Sequence, residues 1–514
     1  MRWVPSASDI KEAKVAKRLR ASSKFYRFLW EIRDELFDED FEDLLIETYQ
    51  PRGQDPCPPA MLAMVMLLQR YEGLSDARAV DAAENDRRWQ LVLGTLGSDE
   101  SPFGQGSLVR FRMRMLAHDL DRKLVEKTVE LAKETGRFGW KKLRTALDSS
   151  PLEGAGRVED TWNLIGRAMS KVVHTVSLAL DTEESEIVSK ARLSVLKADS
   201  VKSSLDINWD DEEAQHEALS QLLAQVDRLE KWVARRAKKE SEKSPLKDAL
   251  ALLRRIVVQD IEPDPDGGGP RIKQGVSVDR IISVSDPDMR HGRKSRTKRF
   301  DGFKRHIAVV NGFIVATAIR PANIREHEAA PELLDGVSRY GAIEVLDIDR
   351  GYLANSTVEA LHRAGVTINS RAWKTKNKIP GAFNKSDFRI DLRKRQITCP
   401  ADKTAKIFPS GAAWFEPEEC RKCSLKTQCT RADSRTVSIH RQEDLHLKLR
   451  KRGKTRSGRA ELRRRVDVEH RLARVGAIQG RKARYRGVRK NELDLNRAAA
   501  VANLQRIAHL LEAV

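Results

Sequence analysis

The chain has 514 residues, with 95 Lys plus Arg against 75 Asp plus Glu and a formal net charge of +20. That length has room for several domains, and the cationic excess favours a polyanionic partner, nucleic acid first. Five cysteines in so long a chain exclude a disulfide scaffold, and no apolar run reaches the length of a membrane span.

The opening MRWVPSASDIKEAKVAKRLR lacks the apolar stretch of a secretory signal, so the expected location is cytoplasmic. Residues 1–135 read as helical, with helices at 22–36, 58–72, 75–83, 86–95 and 106–134 and a break at Pro51–Pro59. Segment 58–72 is apolar on nearly every side and should be the centre of this bundle. In KKLRTALDSSPLEG a short apolar run ends at Asp148, which reads as a strand followed by a polar strand end. Helical periodicity returns from about 167 to 265, as in EALSQLLAQVDRLEKWV. Strands are then expected at 280–286, 303–310, 313–319 and 342–349 and in GVTINS. Helices are expected in NIREHEAAPELLDGVSRY and ANSTVEALHRAG. The order predicts an α/β domain with a mixed sheet, antiparallel first and then crossing over through helices. A Cys-bearing segment at 378–440 interrupts it, and 456–511 is again helical.

Asp148 and Asp349 each follow an apolar run and precede turn-like sequence. Carboxylates brought together there by a fold suit Mg²⁺, which prefers hard oxygen ligands. Asp347 shares the face of Asp349, and alternation alone leaves both open. The basic stretch HGRKSRTKRFDGFKRH suits a hairpin against a phosphate backbone, through Arg293, Lys294, Arg296, Lys298, Arg299 and Lys304. Cys399, Cys420, Cys423 and Cys429 form C-x20-C-x2-C-x5-C, which suits a structural Zn²⁺. In RRRVDVEHRLARV, Glu469 falls on the arc shared by Leu462, Val466, Leu472, Ala473 and Val475. A carboxylate there needs a partner: either Arg465, four residues earlier, or a metal ion. The loop that follows, with Arg481, Lys482, Arg484 and Arg486, suits further phosphate contacts.

In this order the motifs resemble a bacterial insertion-sequence transposase of the DDE type, close to the IS1182 group of the IS4/IS5-related set. PCPPAMLAMVMLLQRYEGLSDARAVDAAENDRRWQLVLG is similar to the amino-terminal helical domain of these proteins. ALDSSPLEG is similar to the first-aspartate motif, DIDRGYL to the second, and the Glu469 segment to the last. The resemblance implies a multidomain α/β fold with an RNase H-like mixed-sheet catalytic core. It further implies two Mg²⁺ (or Mn²⁺) ions held by Asp148, Asp349 and Glu469, with Asp349 preferred over Asp347 by the D-x-GY pattern. The partners it implies are double-stranded DNA, namely the terminal inverted repeats of its own element, and a second copy of the chain, in the nucleoid of a bacterium.

The expected layout is a helical DNA-binding domain at 1–135, the first part of the core at 140–166 and a helical insertion at 167–268. The second part of the core follows at 269–377, then a zinc-ribbon-like insertion at 378–440 and completing helices at 441–514. Two rivals are weighed: a metal-dependent DNA nuclease that joins no strands, and a catalytically inactive DNA-binding regulator.

Overall fold

The structure is a computed structural model that describes residues 2–3, 10–50, 57–134, 142–265, 267, 269–375, 377 and 379–512. Its main sheet has six strands: β1 (Lys142–Glu153), β2 (Arg290–Arg293), β3 (Arg299–Val310), β4 (Phe313–Pro321), β5 (Ala342–Asp347) and β6 (Thr367–Asn369). β3 is the hub, with β1 antiparallel along one edge and β2 and β4 sharing the other. β5 pairs parallel with the far edge of β1, and β6 parallel with β5. The helices Ala330–Ser338 and Ser356–Arg363 make the two crossovers that parallel pairing needs. This mixed sheet resembles an RNase H-like fold.

Two expected strands differ. Segment 280–286 is not a strand: Ile281 and Ile282 are buried, but they fill two different apolar clusters. The N–H of Ile281 bonds to the Gln259 side chain instead of a neighbouring strand. The hairpin partner of β3 is the short β2. β1, expected to end at Asp148, continues to Glu153 because β3 keeps pairing with it as far as Gly302. Gly302 has φ 142°, and a Cβ there would lie 2.3 Å from the Gly154 nitrogen and 2.4 Å from the Leu152 carbonyl oxygen. Only glycine permits so close an approach.

The amino-terminal helices form near the expected places, but 22–36 divides into Lys24–Glu31 and Arg33–Leu36, and Ile10–Arg18 and Glu39–Ile46 are helices where none was expected. Ser75 caps the helix Asp76–Asn85 by accepting from the Arg78 N–H. The long helix expected at 106–134 divides into Gln105–Ala117 and Leu120–Glu134, with Asp119 in the left-handed region at φ 52° between them. Residues 51–56 of the expected break and 135–141 of the expected domain junction lie outside the described residues. In Pro59–Glu72 every residue from Pro59 to Arg70 is buried, as a helix apolar all round requires.

The last helix, Val488–Glu512, packs against Pro59–Glu72, Leu120–Glu134 and β4. One apolar cluster therefore runs from Trp3 to Ile507 through helices and sheet. The helical insertion starts at Thr161, capped by Asp160, and has its own cluster from Trp162 to Val284. The Cys-bearing segment is built on Phe388, Ile397, Ala413, Phe415 and Val437. No helix among the described residues is long and apolar enough to cross a membrane.

A buried ionic cluster fixes the last helix in place. Asp494 accepts from Arg70 at 3.1 and 3.3 Å and from Arg497 at 2.6 Å, while Arg70 also reaches the Ile478 carbonyl at 2.5 Å. Arg497 and Asp494 are fully buried. Removing the shared carboxylate strands two guanidinium groups in the core. Asp494→Ala is expected to cost about 3–5 kcal/mol of stability, read by urea denaturation; a loss below about 1 kcal/mol would show that the cluster contributes no more than a surface pair.

Candidate active site

The strand register creates the site. β5 stops at Asp347, which pairs with Ala146 of β1, and β1 runs on past it. Two residues further along each chain lie Asp148 and Asp349, so the register brings these acids side by side just beyond the last parallel pair. A crevice opens where a parallel neighbour ends, which is where open α/β sheets bind ligands. Asp349 has left the strand and precedes the short turn of 3-10 helix Arg350–Ala354. Asp347, by contrast, points into the sheet. It is 2% exposed and held by Arg144 at 2.7 and 2.8 Å and by the Asn369 amide. Its oxygens are committed to structure, which separates it from Asp349 as alternation could not.

Arg465 closes the gap between the two acids. One terminal nitrogen lies 3.1 Å from Asp148 Oδ1 and the other 3.2 Å from Asp349 Oδ1. Burial alone would lower the Arg465 pKa. The fields of Asp148, Asp349 and, less strongly, Glu469 reverse this and hold it above the ordinary arginine value. Asp148 responds oppositely: burial raises its pKa, the nearby Asp349 charge adds to the rise, and Arg465 and the Ser149 N–H only partly offset it.

Glu469 lines the same cleft as Asp148, on the helix Val466–Gln479. The inward position expected for it is corrected: Glu469 is exposed, as are Val466 and Ala473. The buried stripe is Val468, Leu472, Val475 and Gln479, which packs on β1 and β3. The helix begins only at Val466, after a break at Arg464–Arg465 that separates it from Arg456–Arg463. Leu462 therefore does not share its face. The expected ion pair between Arg465 and Glu469 is replaced by the pairs to Asp148 and Asp349. Arg305 anchors the end of this helix to β1, donating to Gln479 Oε1, Pro151 O and Gly480 O, each at 3.0 Å. Its burial lowers its pKa to about 10.

The cleft measures about 550 Å³, and Lys294, Lys298, Arg299 and Arg481 also line it. Arg293, Lys294, Arg296, Lys298 and Arg299 are all exposed at the β2–β3 hairpin tip. The remaining basic candidates divide. Lys482 and Arg486 are exposed, and Arg481 reaches Glu153 at 2.8 Å. Lys304 donates to the Ile324 carbonyl at 2.7 Å, and burial lowers its pKa. Arg484 donates to the Leu74 carbonyl at 2.8 Å. These two tie the fold together instead of facing the cleft.

Cys399, Cys420, Cys423 and Cys429 are unpaired thiols that share the lining of one small cavity of about 30 Å³. Burial raises the Cys429 pKa, and the other three cysteines add to the rise, so the four lie within each other's field. Among the described residues no group of three or more His, Cys, Asp or Glu is arranged to hold a metal ion. The donor chemistry still fits: the neighbouring carboxylates of Asp148 and Asp349, with Glu469 on the cleft that Asp148 lines, suit a hard cation, and four thiols in one cavity suit zinc. At the cleft the Arg465 guanidinium stands where a cation would.

Because folding raises the Asp148 pKa, this group adds stability at acid pH and withdraws it as the pH rises through the raised value. Asp148→Asn should therefore raise the melting temperature of the metal-free protein at pH 7, and the gain should shrink as the pH falls toward the ordinary carboxylate range. A lower melting temperature at pH 7 would mean that the Arg465 attraction outweighs burial.

Residues 15–114 match the family described as Transposase domain (DUF772), and residues 392–508 match the family described as Transposase DDE domain. The first match covers most of the amino-terminal helices. The second includes all four cluster cysteines and Glu469; neither reaches Asp148 or Asp349. No curated protein and no solved structure gives a match. The chain has a DDE/DUF772-type transposase domain architecture.

Proposed function

We propose that this chain is a DNA transposase that cuts and joins strands of its own insertion sequence by phosphoryl transfer, with Asp148, Asp349 and Glu469 holding Mg²⁺ or Mn²⁺. The observation that carries the reading is the convergence of Asp148 and Asp349 on one guanidinium, together with a cleft that Asp148 and Glu469 line. These residues come from β1, the turn after β5 and a helix near the end of the chain. Acids from such distant segments, two of them sharing one guanidinium, make little sense as a stability device.

Bound divalent ions would supply an activated water or 3′-hydroxyl and neutralise the leaving oxygen. The chain's own residues do the rest. Asp148 is fixed by strand pairing on β3, so its position is set before any ligand arrives. Lys294, Lys298, Arg299 and Arg481 line the same cleft as Asp148 and Glu469 and can hold the phosphates on either side of the reacting bond. The cysteine quartet would hold Zn²⁺ as a staple for a segment with a small apolar core. Placement near the IS1182 group, recognition of terminal inverted repeats and pairing of two copies rest on the order of the motifs and the family architecture.

The test uses supercoiled plasmid carrying the element's ends, with Mg²⁺ or Mn²⁺. Wild type nicks it, and Asp148→Asn, Asp349→Asn and Glu469→Gln each lose about 10³-fold or more while DNA binding persists. Retained nicking in all three would overturn the reading, and loss with Asp347→Asn but not Asp349→Asn would move the second role. A labelled oligonucleotide with a free 3′-hydroxyl should appear in joined products; cleavage without joining would make the protein a nuclease. For the cysteines, purified protein should carry about one zinc per chain and lose it in Cys420→Ser, whereas equal metal content in both would remove the zinc assignment.

A further inference from the structure

One carboxylate beside the cleft has no part in that reading. Glu326 opens the short 3-10 turn Glu326–Ala329 that follows β4. The Ser149 hydroxyl donates to its Oε1 at 2.9 Å, and Ser149 directly follows Asp148. The other carboxylate oxygen faces Gly351, two residues after Asp349. A Cβ built on Gly351 would lie 2.5 Å from Glu326 Oε2, and the three nearest atoms it would meet all belong to the Glu326 side chain. Gly351 is not among the glycines with positive φ, so its backbone would accept alanine. What the missing methyl provides is room for Glu326.

A single side chain thus contacts the residue after one acid and the turn that carries the other. The turns at 326–329 and 350–354 pack directly on each other, so displacing Glu326 would shift the Asp349 turn relative to β1. The Glu326 charge is also felt by the Tyr352 phenol in the same turn, whose pKa it helps to raise after burial.

We infer that Glu326 is a positioning residue that fixes the separation of Asp148 and Asp349 through Ser149 on one side and the Gly351 backbone on the other. This rests on the reading of those two aspartates as metal-holding acids. The role needs an accepting oxygen of the right reach, and not a negative charge. Glutamine can fill it and alanine cannot. A fourth metal ligand would behave differently, because a neutral amide would serve it poorly.

The experiment measures Mn²⁺ affinity by electron paramagnetic resonance, with metal-free melting temperatures alongside, in six proteins. These are wild type, Asp148→Asn, Glu326→Ala, Glu326→Gln, Gly351→Ala and the double Glu326→Ala/Gly351→Ala. Glu326→Ala is expected to weaken Mn²⁺ binding about 10–100-fold, and Glu326→Gln to recover most of that loss. Gly351→Ala should weaken binding by pushing the carboxylate aside. The double variant should be no weaker than Glu326→Ala alone, since the new methyl then has nothing to displace.

Wild-type affinity in Glu326→Ala overturns the inference. So does a glutamine variant as weak as alanine, which would make Glu326 a ligand, and so do additive effects in the double. If wild type and Asp148→Asn bind Mn²⁺ alike, the reading of the aspartates has failed instead. The melting temperatures then still decide the contact: non-additive shifts keep it and additive shifts remove it.

Discussion

β1 is longer than the strand beside it, and the site follows from that mismatch. Its antiparallel partner β3 pairs with it from Thr145 to Glu153, while β5 accompanies it only as far as Ala146. Beyond that point one edge of β1 is firmly held and the other is open. The chain uses the opening in two ways. Segment 481–483 closes its far end, through the Glu153 N–H to the Arg481 carbonyl and the Ala483 N–H to the Glu153 carbonyl. The stretch between is left for Asp148, with Asp349 alongside from the turn after β5. A rigid strand thus presents a carboxylate to a cleft without a loop having to be ordered first.

Electrostatics complete what the register begins. Two acids beside each other in a partly buried cleft repel, and desolvation adds to the cost. Arg465 relieves this with two ion pairs, and it does so from the break immediately before the Glu469 helix. The helix that brings the third acid therefore also brings the counter-charge. The hairpin tip presents five exposed cations, Arg293, Lys294, Arg296, Lys298 and Arg299, and Lys294, Lys298 and Arg299 line the cleft of Asp148 and Glu469. A cleft lined by both acids and bases is poorly suited to an anion alone or a cation alone.

Much of this was legible in the sequence, and the reasons for the rest are local. Asp148 and Asp349 could be noticed because each ends an apolar run, and the basic hairpin because its cations crowd between glycines. The register that sets the two acids side by side depends on strand pairing across some two hundred intervening residues, which no local pattern encodes. Glu469 faces outward because the helix buries Val468 with Leu472 and Val475 and leaves Val466 and Ala473 exposed, which turns the buried stripe away from the arc those two residues suggest. Ile281 and Ile282 imitated a strand because consecutive residues serve two separate cores. Lys304 and Arg484 looked like their neighbours in composition, and only the carbonyls of Ile324 and Leu74 distinguish them. Nothing in NIREHE marks Glu326, whose contacts are made by segments far away in the chain.

If Asp148 and Asp349 hold a metal ion, it must take the place of the Arg465 guanidinium between them. Anomalous scattering from crystals grown with Mn²⁺ tests it most directly. The account predicts a peak between the carboxylates of Asp148 and Asp349, with the Arg465 guanidinium withdrawn from both. A guanidinium still bridging the two aspartates at saturating Mn²⁺, with no peak beside them, would contradict it.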